Sequence, residues 1–244
     1  MTFRTLSAQA DPSREIVNAL PWVQAAGRPY VDWLLGGHAA TRRILEQWMA
    51  RPSSEVFIGR AIVVEEGCPV GGFIALIGAE LARCRIEDAV AAVAAAPHER
   101  RASLVARLRL GRGLFGDVLP DDFYLSRMGV LPHARGRGYG KALVREYLRQ
   151  GMERRCGRFA LDVSSRNHAA IELYRSVGFV PQRCDRISEV PMTYVRMVLG
   201  MSSASRERPD AMVVGDSPSS RLIRDLPAEI AARRSRSKES PHSL

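Results

Sequence analysis

Lysine is nearly missing from this chain. Of its 36 basic residues only Lys141 and Lys238 are lysine, leaving 34 arginines against 26 acidic residues and a net charge of +10. A surplus of that sign suits an acidic ligand or a nucleic acid. No zinc-finger spacing, stacking platform or RRM-like aromatic motif accompanies the arginines, so no specific nucleic-acid partner is expected. Paired cysteines are also absent. Cys68, Cys84, Cys156 and Cys184 are scattered, which argues against a zinc site or a disulfide framework, implies no metal and fits a reducing cytosol. Long apolar runs are missing too: no stretch reaches the ~18 residues of a membrane span, and the segment from Met1 to Ala10 lacks the apolar core of a signal peptide. The expectation is a soluble, cytoplasmic protein with no membrane partner. What is present, 244 residues that are 46% hydrophobic and 25% charged, suffices for one globular domain with a real core and some excess.

The stretch that organises the rest is Arg135-Gly136-Arg137-Gly138-Tyr139-Gly140-Lys141. Before it, Phe123 to Val130 is an aromatic and β-branched run that reads as a strand; after it, Leu143, Val144, Tyr147 and Leu148 recur at helical spacing. Glycines at a helix start let the backbone approach a ligand, and the first-turn amides point at it with the positive end of the helix dipole behind them. A phosphate or pyrophosphate is the natural occupant, with Arg135 and Arg137 adding charge. Two well-known glycine motifs fail on the letters. A P-loop needs glycine where Arg135 stands and Ser or Thr where Ala142 stands. The dinucleotide fingerprint needs Gly or Ala at Lys141. A tight strand-to-helix turn with surface arginines is the plainer alternative.

A second block lies downstream. Phe159, Leu161 and Val163 alternate as a half-buried strand. Asn167 then occupies a helix N-cap position, Ala169 to Val177 continue as a helix, and Gly178 provides a left-handed stop before Phe179. Asn167 and Tyr174 are two helical turns apart and share a face.

Arg135, Gly138 and Gly140 match the pattern Arg/Gln-x-x-Gly-x-Gly/Ala, and the second block matches Asn-x-x-Ala-x-x-x-Tyr-x-x-x-Gly-Phe at every fixed position. In both motifs, and in their order, the chain resembles the GNAT superfamily of acyl-CoA N-acyltransferases. That resemblance implies an α/β (α+β) fold: a mixed, mostly antiparallel sheet of six to seven strands, with helices on both faces and a splayed central strand pair. Acetyl-CoA is implied as the acyl donor, with its pyrophosphate at the turn from Arg135 through Gly136, Arg137, Gly138, Tyr139 and Gly140 to Lys141. The pantetheine arm is implied along the strand at Met128 to Val130, with a backbone amide near Met128 polarising the thioester carbonyl and Asn167 as an orienter. Tyr174 is implied as the acid that protonates the leaving thiolate.

An amine acceptor must be neutral to attack, because an alkylammonium has no lone pair. Asp122, at the entry to the central strand, and Asp162 are the candidate carboxylates, and Asp122 is taken as the catalytic one. The acceptor is expected to be a small-molecule amine or a peptide or protein amine. A non-catalytic acyl-CoA-binding sensor would use the same cradle.

Along the rest of the chain, Phe3 to Ala8 reads as a strand and Asp11-Pro12-Ser13 as a helix-opening turn. Pro21 and Pro29 are expected to break the next region into short helices, and Ala40 to Met49 is a further helix. Tyr30, Asp32, Trp33 and His38 are candidates to face an acceptor, against the plainer readings of core and loop. Glu55 to Glu65 and Pro69 to Ile77 read as a hairpin whose tip acids, Glu65 and Glu66, are solvated. From Glu80 to Pro120 runs an insertion that the family pattern would not require, with Ile86 to Ala96 and Arg101 to Leu110 reading as two helices; it is either packing, an acceptor lid or the surface of a homodimer. Val180 to Ser188 and Met192 to Leu199 complete the sheet. The expected domain ends at residue 200, and 201–244, rich in Ser, Arg, Pro, Asp and Glu, is expected to be a disordered tail.

Overall fold

A computed structural model describes residues 1–6, 12–115, 118–187 and 189–200; the expected tail and the turn at Asp11 lie outside them. The chain opens with strand β1 (Thr2–Thr5), followed by helices α1 (Pro12–Gly27), α2 (Tyr30–Leu35) and α3 (His38–Met49). Strands β2 (Ala61–Glu66) and β3 (Cys68–Ile77) form the expected hairpin, and the insertion is helices α4 (Gly78–Ala95) and α5 (His98–Arg112). Then come β4 (Asp122–Val130), α6 (Tyr139–Glu153), β5 (Arg158–Ser164), α7 (His168–Arg175), β6 (Val180–Arg186) and β7 (Thr193–Gly200).

The seven strands lie in the order β1-β2-β3-β4-β5-β7-β6. Every neighbouring pair is antiparallel except the central one, where β4 and β5 run parallel from Asp122↔Arg158 to Leu125↔Leu161. Helices cover both faces. On one, α6 packs Leu143, Val144 and Tyr147 against Phe73, Phe123 and Phe159. The rings of Tyr147 and Phe123 are stacked 5.1 Å apart, and each buried phenylalanine contributes about 1.5–3 kcal/mol. On the other face, α1 and α3 bury Trp22, Val23, Leu45 and Met49 with the β2 and β3 side chains Val63 and Ile74.

Three sequence expectations need correction. Pro21 does not break its helix: α1 is continuous over it, because the missing amide bond is local while Ala19, Leu20, Trp22 and Val23 around it are buried. Strand β2 begins at Ala61, since Ile58–Arg60 form a 3₁₀ turn. The insertion's first helix starts at Gly78, directly after β3.

Candidate functional site

The central pair parts where β4 carries one extra residue. Ile74 of β3 faces Arg127, whereas Ala75 faces Leu125, so Ser126 is unopposed and forms a β-bulge. A bulge ends regular pairing and re-aims the side chains that follow. Before it, Phe123 and Leu125 face α6 while Tyr124 faces α4. After it the alternation reverses. Met128 and Val130 now pack toward α6, while a side chain at Gly129 would meet Trp22 of α1. The last pairing of β4 with β5 is Leu125↔Leu161, so the rest of β4 diverges and leaves a cleft between the strands.

At the mouth of this cleft β4 passes through the short turn Pro132–Ala134 into the start of α6. Gly136 (φ 77°) and Gly138 (φ 83°) hold left-handed conformations, which glycine adopts without penalty. A side chain at either would meet nothing within 4 Å, so this turn is open. Gly138 is the N-cap and offers no side-chain capping bond. The first intrahelical bond runs from the Ala142 amide to the Gly138 carbonyl. The six backbone amides of residues 136–141 therefore donate to no described residue. Free amides in a run at a helix start are the kind of group that can receive an anion.

The flanking side chains are partly committed. Arg135 donates Nε to the Val130 carbonyl at 3.1 Å. Arg137 pairs with Glu66 of the β2–β3 hairpin at 2.7 Å and lies over the Tyr139 ring. Glu66 is thus more than the solvated tip residue the sequence suggested. A hydrogen bond from Tyr139, then the Arg137 guanidinium, hold its carboxyl below the usual range. Lys141 is exposed. Gly140 serves helix packing as well, since a Cβ there would stand 3.1 Å from Leu173 of α7.

Helix α7 supplies the other expected residues. Asn167 caps it, its Oδ1 accepting from the Ala170 amide at 3.2 Å. Tyr174 is buried in the cluster that holds Tyr147 and Met128, packs its ring on Phe179 at 5.8 Å, and has no hydrogen-bond partner among the described residues. Burial pushes its hydroxyl pKa well up, so it stays protonated at neutral pH.

Asp122 does not join this group. It lies at the closed end of β4, fully buried, where Oδ1 and Oδ2 accept from Arg158 at 2.6 and 2.7 Å and Oδ2 also accepts the Leu119 amide at 2.8 Å. With both oxygens engaged in three hydrogen bonds and the β4–β5 pairing ending at Leu125, it clamps the start of the parallel pair. Asp162 is similarly committed, to Arg196 opposite it on β7 at 2.8 Å.

Sequence reasoning missed a buried polar network on the face opposite α6. Arg85 of α4 donates to Glu55 at 3.2 Å and to Tyr124 at 2.9 Å, Tyr124 donates to Asp162 at 2.9 Å, and Ser126 donates to Glu55 at 2.8 Å. Burial opposes ionisation of Glu55, yet Arg85 and Arg127 hold its pKa below the ordinary value. Beside it Tyr30 meets Phe115 at 4.8 Å and Trp33 at 5.9 Å, and Phe115 meets Tyr194 at 5.2 Å. The insertion thus walls this face. His38, expected in a loop, opens α3 with Nδ1 3.0 Å from Gln24. The sequence signal for the network was a charge inside each apolar strand, at Asp162 and Arg196.

Among the described residues no cluster could hold a metal ion, and no helix is long and apolar enough to cross a membrane.

Residues 28–179 match the family model described as Acetyltransferase (GNAT) family. The chain is 41% identical over 69 residues to the N-alpha-acetyltransferase RimI of Mycobacterium tuberculosis, covering 28% of this chain and 42% of that protein. It is 29% identical over 89 residues to the mouse (Mus musculus) thialysine N-epsilon-acetyltransferase, covering 36% of this chain and 52% of that one. The chain therefore spans about half the length of these relatives. Among solved structures, an N-acetyltransferase from Staphylococcus aureus Mu50 superposes with a TM-score of 0.60 at 16% identity, over 82% of this chain and 100% of that one. A polyamine N-acetyltransferase from Drosophila melanogaster superposes at 0.53 and 17% identity, over 82% and 99%. These likenesses extend the fold match across most of the described residues.

Proposed function

Because this chain belongs to the acetyltransferase (GNAT) family, we propose that it moves an acetyl group from acetyl-CoA to a primary amine by direct attack in a ternary complex. The observation that carries the reading is the run of six amides at residues 136–141 that donate to no described residue, beside the place where β4 and β5 part. The CoA pyrophosphate takes those amides, with Arg135, Arg137 and Lys141 supplying charge. The pantetheine arm lies along the unpaired half of β4 past Met128 and Val130, where a backbone amide polarises the thioester carbonyl. Asn167 keeps the start of α7 in place beside it.

The amine nitrogen attacks the carbonyl carbon, the C–S bond breaks, and the sulfur leaves as thiolate. Tyr174 gives that sulfur its proton, and its raised pKa means it holds the proton until charge has developed on sulfur. The proton released by the amine passes through water to the Tyr174 phenolate and restores it, because Asp122, Asp162 and Glu55 are each committed to arginines. The relatives' names speak of the N-epsilon position of thialysine and of an N-alpha position, so the acceptor is proposed only as a primary amine. Four cysteines without a disulfide fit the cytoplasm as the working compartment.

The test is thiol release from acetyl-CoA across a panel of amines and peptide N-termini, with intact mass of the acceptor as readout. Acceptor-dependent release with a gain of one acetyl group is expected. Calorimetric CoA binding without release on any acceptor would overturn the transferase reading in favour of a sensor.

A further inference from the structure

The insertion builds a second positively charged concavity away from the α6 turn. Where α2 and α3 meet the corner between α4 and α5 lies a groove of about 380 Å³, within the roughly 300–1,000 Å³ range of small-molecule sites. Its floor is apolar, with Leu35, Ile44 and Leu104, and its rim carries Arg43 from α3 with Arg100 and Arg107 from α5. Among the described residues no acidic side chain lines it.

The three arginines are not equivalent. Arg107 is fixed, its Nη1 donating to the Trp33 carbonyl at 2.8 Å and its guanidinium lying 6.0 Å from the centre of the Trp33 ring. Arg43 and Arg100 are exposed and make no ion pair or side-chain hydrogen bond with any described residue. Their sequence neighbours do find partners: Arg42 pairs with Glu46 at 3.2 Å, and Arg101 donates to the Ala96 carbonyl at 3.0 Å. Three guanidinium groups around one concavity, with no counter-charge lining it among the described residues, repel each other, and an anion seated between them relieves that repulsion. The guanidinium fork matches the paired oxygens of a carboxylate or phosphoryl group. The apolar floor adds a hydrophobic contribution only for a ligand with an apolar body.

We infer that this groove binds a small amphipathic anion, a carboxylate or phosphate joined to an apolar body, at a site separate from the turn at residues 136–141. The site shares a wall with the aromatic face, because Trp33, held by Arg107, packs on Tyr30.

The experiment is calorimetry on the full chain with octanoate, octanol and inorganic phosphate as probes. Octanoate is expected to bind one-to-one and at least tenfold more tightly than either octanol or phosphate. The double variant Arg43→Ala/Arg100→Ala is expected to lose at least tenfold in octanoate affinity with a melting temperature in buffer no lower than that of wild type, since neither side chain holds a partner among the described residues and their mutual repulsion is removed. Arg135→Ala/Arg137→Ala is expected to leave octanoate binding unchanged, whether or not the α6 turn takes CoA. The inference is overturned if octanoate shows no binding at millimolar concentration, if octanol or phosphate binds as tightly, if the double variant binds octanoate normally, or if only the Arg135/Arg137 variant loses it.

Discussion

Replacing Asp122 by asparagine separates a structural clamp from a catalytic base. The carboxylate accepts three hydrogen bonds, two from Arg158 and one from the Leu119 amide. Asparagine keeps the shape but has a single oxygen acceptor, so its amide nitrogen must face a donor. At best the oxygen stays in the Oδ2 position, keeping the Leu119 bond and one Arg158 bond, while the Arg158 Nε bond is lost. Breaking a buried pair from one side costs roughly 3–5 kcal/mol when both partners are buried. Here Arg158 retains 25% exposure and can recruit water, which puts the cost near the lower end, about 3 kcal/mol. For a domain of this size that is a melting-temperature drop of about 6–12 °C. The assay pairs a thermal melt with initial rates of thiol release at 25 °C, normalised to folded protein. A large drop in melting temperature with turnover within about twofold of wild type is expected. A variant that melts normally yet loses turnover a hundredfold would refute the clamp and restore Asp122 as a base.

Other perturbations address the site and the network. Tyr174→Phe is expected to keep CoA affinity within a few-fold while lowering turnover about a hundredfold; unchanged turnover with a good acceptor would remove the general-acid role. Gly138→Glu places a carboxylate on a left-handed residue beside the open amides, and calorimetry is expected to find CoA binding abolished. Glu55, whose folded pKa is depressed, contributes stability that is present above its unfolded pKa and lost as pH falls through the folded one. Glu55→Gln is therefore expected to be less stable than wild type at neutral pH, with the gap narrowing below about pH 4 in urea melts across pH. A gap that does not depend on pH would place the effect in packing instead.

The two segments that name the family are local, and that is why they were legible. The turn from Arg135 to Lys141 needs glycine at two left-handed positions, and α7 needs a cap at Asn167 and a stop at Gly178; each requirement is met within a few residues. Pro21 misled because a helix-breaking propensity is local, whereas burial of Trp22 and Val23 is not. The surroundings of Asp122 were not legible, because an acid at the start of the central strand looks available until Arg158, 36 residues later, is brought opposite it. The network from Glu55 through Arg85, Tyr124 and Asp162 to Arg196 spans the whole fold, and no spacing in the sequence connects those positions. Ser126 carries no signal of its own, since a bulge is defined by the partner strand's register.

That unopposed serine makes β4 two strands in one as far as substitution is concerned. In Asp122–Leu125 the odd-numbered positions answer to the α6 core, and beyond Ser126 the even-numbered ones do. Adding or removing a single residue between Leu125 and Arg127 would invert which side chains line the open edge without altering any of their identities. The shape of the cleft therefore depends on a count of residues at one point, more than on the chemistry of any one of them.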